Sequence, residues 1–133
     1  MTASLSPYIH FNGDARKAME YYKTVLGGEL TLNTFGDTGQ GDAATADKIM
    51  HAQLVTPDGF NLLAADVPPG MEHITGNNIT VCLGGDDGDK LRGFWEGLSA
   101  DGAISVPLEK QFWGDEFGMC VDQFGIPWMV NIG

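Results

Sequence analysis

Basic residues are scarce in this sequence, and their scarcity limits the partners it can bind. Seven Lys and Arg residues stand against 18 Asp and Glu residues, which gives a net charge of −11 over 133 residues. Binding of nucleic acid requires clustered basic side chains that neutralise phosphates, and the sequence has no such cluster. The composition therefore argues against a nucleic-acid partner, and the acidic excess is typical of a surface that favours solubility.

Long apolar runs are also missing, and we expect no secretory leader. No stretch approaches the roughly 20 apolar residues that cross a bilayer. The N-terminal residues MTASLSPYIH lack the charged and apolar regions of a signal peptide. Cysteine is limited to Cys82 and Cys120, both in predicted strands, and this favours two small buried side chains over a disulfide. We therefore expect a cytoplasmic protein with no membrane partner.

Glycine, by contrast, is abundant, and its 19 residues separate the elements of a module that occurs twice. In the first copy, Asp14 is predicted to cap a helix at Ala15–Leu26 that ends at a Gly-Gly pair. A short strand at residues 8–12 precedes this helix. A strand at residues 29–35 and a hairpin at residues 48–66 follow it.

The second copy repeats this order with a strand at residues 78–83, a helix at residues 90–98 and a hairpin at residues 117–132. The two hairpins turn at Gly59 and Gly125, which lie 66 residues apart. Internal repeats of this kind constrain the whole fold, so the sequence predicts an α+β protein built from two βαβββ modules.

The predicted organisation is one domain over residues 1–133. Module one spans about residues 6–66, a linker spans residues 67–76, and module two spans about residues 77–133. We expect the two sheets to form paired half-barrels around a shared cavity, with the helices outside. Exposed sheet edges in such an arrangement favour association, so we also predict a homodimer.

Several segments resemble the PhnB-like branch of the vicinal oxygen chelate superfamily, which includes glyoxalase I, extradiol dioxygenases and bleomycin- and fosfomycin-resistance proteins. The segments are YIHFNGDARKAMEYYKTVLGGEL at residues 8–30, KIMHAQL at 48–54, NLLAADVPPG at 61–70, GNNITVCL at 76–83 and FWGDEFGMCVDQFGIPWMVN at 112–131. The resemblance implies the paired-module fold. Members are often labelled as methyltransferases of demethylubiquinone, but a methyltransferase needs a doubly wound sheet that this module order does not predict.

The resemblance also implies where a metal would bind. Members that use a metal take His and Glu ligands from the first and last strands of each module. The matching positions here are Pro7, Leu63, Asn78 and Met129. This set lacks the charged oxygen and imidazole donors that hard divalent ions prefer. We therefore expect no metal and no other cofactor, and we disfavour glyoxalase and dioxygenase chemistry.

Strand alternation, together with the resemblance and the offset between the repeats, predicts which side chains face the cavity. The predicted ligand-facing residues are His51, Gln53, Asn61, Leu63, Asn78, Thr80, Phe117, Met119 and Met129. We expect Trp113 and the polar loop at residues 36–47 to cover them. Because Ile9 and Phe11 are taken as inward residues, His10 is expected to pack under the helix.

Three functions remain open on the sequence alone. The first is metal-free binding of a small organic molecule in the cavity. The second is a metal-independent enzyme of the lyase or isomerase type, with His51 as general acid or base and Gln53 or Asn78 as hydrogen-bond donor. The third is a dimeric protein with no small ligand, in which His51 is a core histidine with hydrogen bonds across the sheet.

Overall fold

The computed structural model describes residues 3–39, 45–68 and 70–133. The chain divides into two compact units, Met1–Ile74 and Thr75–Gly133. None of the helices in the described residues is long and apolar enough to cross a membrane.

The first unit contains one helix and a four-stranded sheet. Its elements are β1 (Tyr8–Phe11), α1 (Ala15–Leu26), β2 (Glu29–Thr34), a short 3-10 turn (Gly36–Thr38), β3 (Ile49–Val55) and β4 (Asn61–Asp66). The strand order is β1-β4-β3-β2. β1 runs parallel to β4, whereas β3 is antiparallel to both β2 and β4.

The second unit repeats this plan. Its elements are β5 (Val81–Gly85), α2 (Gly88–Ser99), β6 (Ala103–Lys110), β7 (Glu116–Val121) and β8 (Pro127–Ile132). The strand order is β5-β8-β7-β6, and β5 is again parallel to β8. The predicted α+β fold of two βαβββ modules is therefore confirmed, including a turn glycine with positive φ at both Gly59 and Gly125.

Each helix packs on one face of its own sheet. On α1 the buried residues include Met19, Tyr22 and Leu26, which recur at the spacing of one helical face. Alternate residues of the strands, such as Leu54 and Leu62, are buried as well. In the second unit, Phe94 and Trp95 of α2 and Trp128 and Val130 of β8 form the equivalent core. The remaining strand residues occupy the face turned away from the helix, called the far face below.

The start of α1 differs from the sequence prediction. Asp14 occupies the N-cap position, but its side chain makes no capping hydrogen bond. Asp66, at the end of β4, accepts hydrogen bonds from the backbone N–H groups of Gly13 and Ala15 through Oδ1 and from Ile49 through Oδ2, all at 2.9–3.0 Å. A buried carboxylate from another element thus performs the role that the local sequence assigned to Asp14.

The segment after α2 also differs from expectation. The order of the repeat predicts that residues 107–114 form the loop that matches the polar loop at residues 36–47, yet β6 continues through Pro107 to Lys110. β6 lies at the edge of its sheet and has register shifts on both sides of Val106. Proline is tolerated on an edge strand, where its missing N–H need not pair with a neighbouring strand.

Candidate functional site

The far face of the first sheet brings together four of the predicted site residues. Gln53 on β3 pairs with Leu63 on β4, and Asn61 lies two residues before Leu63 on the same face. His51 precedes Gln53 by two residues, so strand alternation places it there too. Their neighbours Ala52, Leu54 and Leu62 are buried toward α1. The predicted alternation is therefore confirmed for His51, Gln53, Asn61 and Leu63.

The prediction for β1 was wrong. Tyr8 pairs with Leu63 and His10 pairs with Ala65, so both side chains lie on the far face. Phe11 points to the opposite side and is only 3% exposed. The strand begins at Tyr8, so the residue level with Leu63 is Tyr8, where the alignment to the superfamily had placed Pro7. A slip of one residue reverses the face of every side chain in a strand.

Tyr8 and the two histidines form a cluster on this far face. The hydroxyl of Tyr8 lies 3.2 Å from Nδ1 of His51, within hydrogen-bonding distance. The ring of Tyr8 is 5.1 Å from that of His10 and 5.8 Å from that of His51. Partial burial raises the pKa of the Tyr8 hydroxyl, so this group stays protonated near neutral pH and can donate its hydrogen.

A second polar group lies on the same face. Nε2 of Gln53 donates a hydrogen bond to Oδ1 of Asn61 at 2.9 Å, and Nδ2 of Asn61 donates to Oγ of Ser6 at 2.9 Å. These bonds fix the orientation of both amides. Each amide still has a second N–H for a ligand, since an amide nitrogen carries two hydrogens. Sequence reasoning missed Ser6, because it precedes the first strand.

The far face of the second sheet is mostly apolar. Met119 pairs with Met129, and Phe117 pairs with Asn131. All four side chains are partly exposed, whereas Cys120 and Trp128, the pair next to Met119 and Met129, are buried toward α2. The prediction that Phe117, Met119 and Met129 share one face is confirmed. Asn131, whose Nδ2 donates to Asp115 at 3.0 Å, adds a polar group that the sequence reasoning missed.

Asn78 and Thr80 do not belong to a strand. β5 begins at Val81, and Asn78 is exposed in a bend before it. The residue that pairs with Met129 is Cys82. The strand was therefore predicted to begin three residues too early, and its alternation does not apply to Asn78 or Thr80.

The predicted covering segments are placed only in part. Trp113 lies between β6 and β7, is half exposed, and has its ring 6.0 Å from that of Phe117 at the end of the second far face. Residues 40–44 of the polar loop lie outside the described residues. The proposed cover by this loop stays a prediction.

The metal site implied by the superfamily does not fit the residues that the register places there. The paired first-strand and last-strand positions are Tyr8 with Leu63 and Cys82 with Met129. This set has one thiol but no carboxylate and no imidazole, so it lacks the oxygen and nitrogen donors that the implied site requires. Among the described residues, no group of three or more His, Cys, Asp or Glu side chains is arranged to hold a metal ion.

Comparisons with known proteins agree with this architecture. Residues 3–131 match the sequence profile of the family described as 3-demethylubiquinone-9 3-methyltransferase. Protein YjdN of Escherichia coli K12 is 28% identical over 96% of this chain and 94% of its own length. The crystal structure of PA1353 from Pseudomonas aeruginosa is 35% identical, with a TM-score of 0.84 over 97% of this chain and 98% of its own.

A more distant structure shares the fold. The putative 3-demethylubiquinone-9 3-methyltransferase, PhnB protein, from Bacillus cereus is 19% identical, with a TM-score of 0.78 over 98% of this chain and all of its own. At that identity the likeness concerns the fold alone.

Proposed function

This chain belongs to the PhnB-like family, described as 3-demethylubiquinone-9 3-methyltransferase, within the glyoxalase/bleomycin-resistance/dioxygenase superfamily. From this premise we propose that it binds a small organic molecule without a divalent metal. The far faces of its sheets supply the binding groups. The shared cavity predicted from the sequence stays a prediction.

One observation carries the proposal: ordered polar side chains on the far face of the first sheet. Tyr8 meets His51, and Gln53 is held by Asn61 and Ser6, within a sheet whose other face is packed by α1. Binding sites combine apolar walls with a few positioned polar groups. Leu63 lies between Tyr8 and Gln53 and supplies apolar contact at the same place.

The second far face supports the same class of ligand. Phe117, Met119 and Met129 offer an apolar and polarisable surface, and Trp113 extends it. Methionine adapts to varied shapes and makes favourable contacts with aromatic rings. We therefore propose a planar or aromatic molecule that also carries hydrogen-bonding groups.

Methyl transfer is not proposed, although the family description names it. Each sheet is mixed, with its first strand parallel only to its last. Neither sheet has the parallel, doubly wound order that binds nucleotide-like cofactors at the carboxyl ends of its strands.

The test is a thermal-shift screen of planar organic compounds, carried out with and without a chelator. A compound that binds only the native state raises the melting temperature, and the chelator should leave this shift unchanged. Gln53→Leu should fold normally and change the affinity for such a compound by about 1–3 kcal/mol, because a ligand group that paired with Gln53 loses its partner.

Gln123→Leu is the matched control, because Gln123 is exposed in the turn between β7 and β8. It should bind like the wild type. A screen without any chelator-resistant shift contradicts the proposal, and so does a Gln53→Leu variant with wild-type affinity for every compound that shifts the melting temperature.

A metal-independent enzyme is the second candidate, and the contact between Tyr8 and His51 favours it. A Tyr8 hydroxyl that donates to Nδ1 selects the His51 tautomer with hydrogen on Nε2. That N–H can polarise a bound group, as a general acid does. Turnover of a bound compound that is lost in both His51→Ala and Tyr8→Phe, while binding persists, separates this candidate from binding alone.

The remaining predictions concern assembly and location. We propose a homodimer, since both sheets have edge strands, and a protein with no small ligand remains the alternative if the screen is negative. We also propose a cytoplasmic location. Neither Cys82 nor Cys120 is in a disulfide, and Cys82 is exposed, as suits a reducing compartment.

A further inference from the structure

Three sulfur-bearing side chains lie side by side on the far face of the second sheet. Cys82 on β5 pairs with Met129 on β8, and Met129 pairs with Met119 on β7. Adjacent strands are about 4.8 Å apart, and directly paired residues on one face are in side-chain contact range. A thiol and two thioethers therefore form a row across three neighbouring strands.

The row is accessible from the surface of this unit. Cys82 is exposed, and Met119 and Met129 are partly exposed. The other cysteine provides a contrast, since Cys120 pairs with Trp128 on the buried face under α2. Position in the sheet, and not residue type alone, separates the sulfur that can meet a ligand from the sulfur that is packed in the core.

The chemistry of the row differs from that of the metal site implied by the superfamily. Thiolate and thioether donors are soft, and soft donors select ions such as copper(I) over magnesium, calcium or manganese. A row of soft sulfur donors therefore favours a soft monovalent ion over a hard divalent one.

We propose that Cys82, Met119 and Met129 form a binding site for a soft monovalent metal ion of the copper(I) class. Cys82 binds as the thiolate and releases its proton to solvent. Met119 and Met129 complete a three-sulfur set. The site lies within one unit, and its two methionines are side chains that are also proposed above to contact the organic ligand.

Anaerobic titration with copper(I) tests the site directly. Reduced protein is titrated against a chromogenic copper(I) chelator, and we expect one ion per chain to be withdrawn from the chelator. Cys82→Ser, Met119→Leu and Met129→Leu should each weaken binding by about 10- to 100-fold or more, the scale already seen for residues that only support a metal ligand. Leu replaces Met with nearly the same volume, so these variants should fold.

Met71→Leu and Cys120→Ala are the matched controls. Met71 is 66% exposed in the segment between the sheets, and Cys120 is buried, so neither change should alter copper(I) binding. The methyl resonances of Met119 and Met129 should shift on addition of silver(I), whereas that of Met71 should not.

Two results would overturn the proposal. One is a failure of the wild type to withdraw more copper(I) from the chelator than the folded triple variant Cys82→Ser/Met119→Leu/Met129→Leu. The other is silver(I) binding that leaves both methionine methyl resonances in place. Neither result bears on the organic ligand, whose screen is run with chelator and read at Gln53.

Discussion

At the residue scale, the two cysteines show how strand alternation assigns different chemistry to one side chain. Cys120 is 2% exposed, and burial, followed by the charge of Asp122, raises the pKa of its thiol from 9.0 to about 11. Cys82 is exposed on the opposite face. A thiol-specific reagent reacts with the thiolate. Burial therefore slows the reaction of Cys120 in two ways, because it blocks access and because it disfavours ionisation of the thiol.

We predict that a colourimetric disulfide reagent at neutral pH modifies one thiol in the native protein and two in denaturant. The native reaction should disappear in Cys82→Ala and persist in Cys120→Ala. Rapid native modification of both cysteines would contradict the assigned faces.

The raised pKa of Cys120 also predicts a dependence of stability on pH. Because the folded state holds this proton more tightly, the contribution is fully present below about pH 9 and is lost as pH rises through about 11. Denaturation midpoints should therefore fall less steeply over this window in Cys120→Ala than in Cys82→Ala. Equal slopes in the two variants would refute the assignment.

At the scale of elements, Asp66 connects the start of α1 with the start of β3. Removal of its carboxylate leaves the N–H groups of Gly13, Ala15 and Ile49 without their acceptor. We predict that Asp66→Ala lowers the free energy of unfolding by at least about 2 kcal/mol. Asp14→Ala, whose side chain makes no cap bond, should stay within about 0.5 kcal/mol of the wild type. Urea denaturation gives both values, and equal losses would contradict this account.

Glycines at the starts of β2 and β6 allow close approach of the neighbouring strand. A Cβ on Gly28, whose φ is +104°, would overlap the carbonyl oxygen of Val55, and one on Gly102 would overlap that of Val121. We predict that Gly28→Ala destabilises the protein by more than about 1 kcal/mol, from backbone strain and overlap together.

Gly93→Ala is the control for this change. Gly93 lies in α2 with open space around it, so alanine there should stabilise the protein by up to about 1 kcal/mol. Thermal denaturation of both variants measures the contrast, and a Gly28→Ala variant as stable as the wild type would contradict the close approach.

Local pattern was sufficient to predict α1 with its observed ends and a hairpin where β3 and β4 lie, since a helical apolar face and glycine stops act within a few residues. Register between distant strands was not contained in that pattern. The parallel pairing of Tyr8 with Leu63 joins residues 55 positions apart, and nothing near Tyr8 specifies it. Hence His51 and Gln53 were assigned from the sequence to the correct face of the sheet. His10 was assigned to the wrong face, and Tyr8 and Cys82 were not identified as far-face residues.

The repeat could be predicted from the sequence because the residues that form its turns are also close together in the chain. Thr56 and Asp122 occupy the same place before Gly59 and Gly125, and each accepts a hydrogen bond from the turn that follows. Asp66 could not be foreseen as a cap, because its three partner amides come from two segments that are distant from it in sequence.

At the scale of the whole molecule, the edge strands of the two sheets bear on the oligomeric state. The edge strands are β1 and β2 in the first sheet and β5 and β6 in the second. Unpaired edges favour association unless they are protected. We predict a homodimer, so sedimentation equilibrium at micromolar concentration should give about twice the chain mass of 14.2 kDa. A mass near that of one chain would contradict it.

The carboxylate of Asp66 also distinguishes the two halves of the repeat. Asp66 and Ile132 both end the last strand of their sheets, seven residues after the turn glycine, yet only Asp66 has a side chain that can accept hydrogen bonds. The copies are therefore no longer interchangeable. Grafting Pro127–Ile132 in place of Asn61–Asp66 would keep the strand ladder but leave three amides unsatisfied. The second half caps its own helix differently, because the Asp87 side chain accepts from the backbone N–H of Lys90. Each last strand therefore suits only the helix start of its own half.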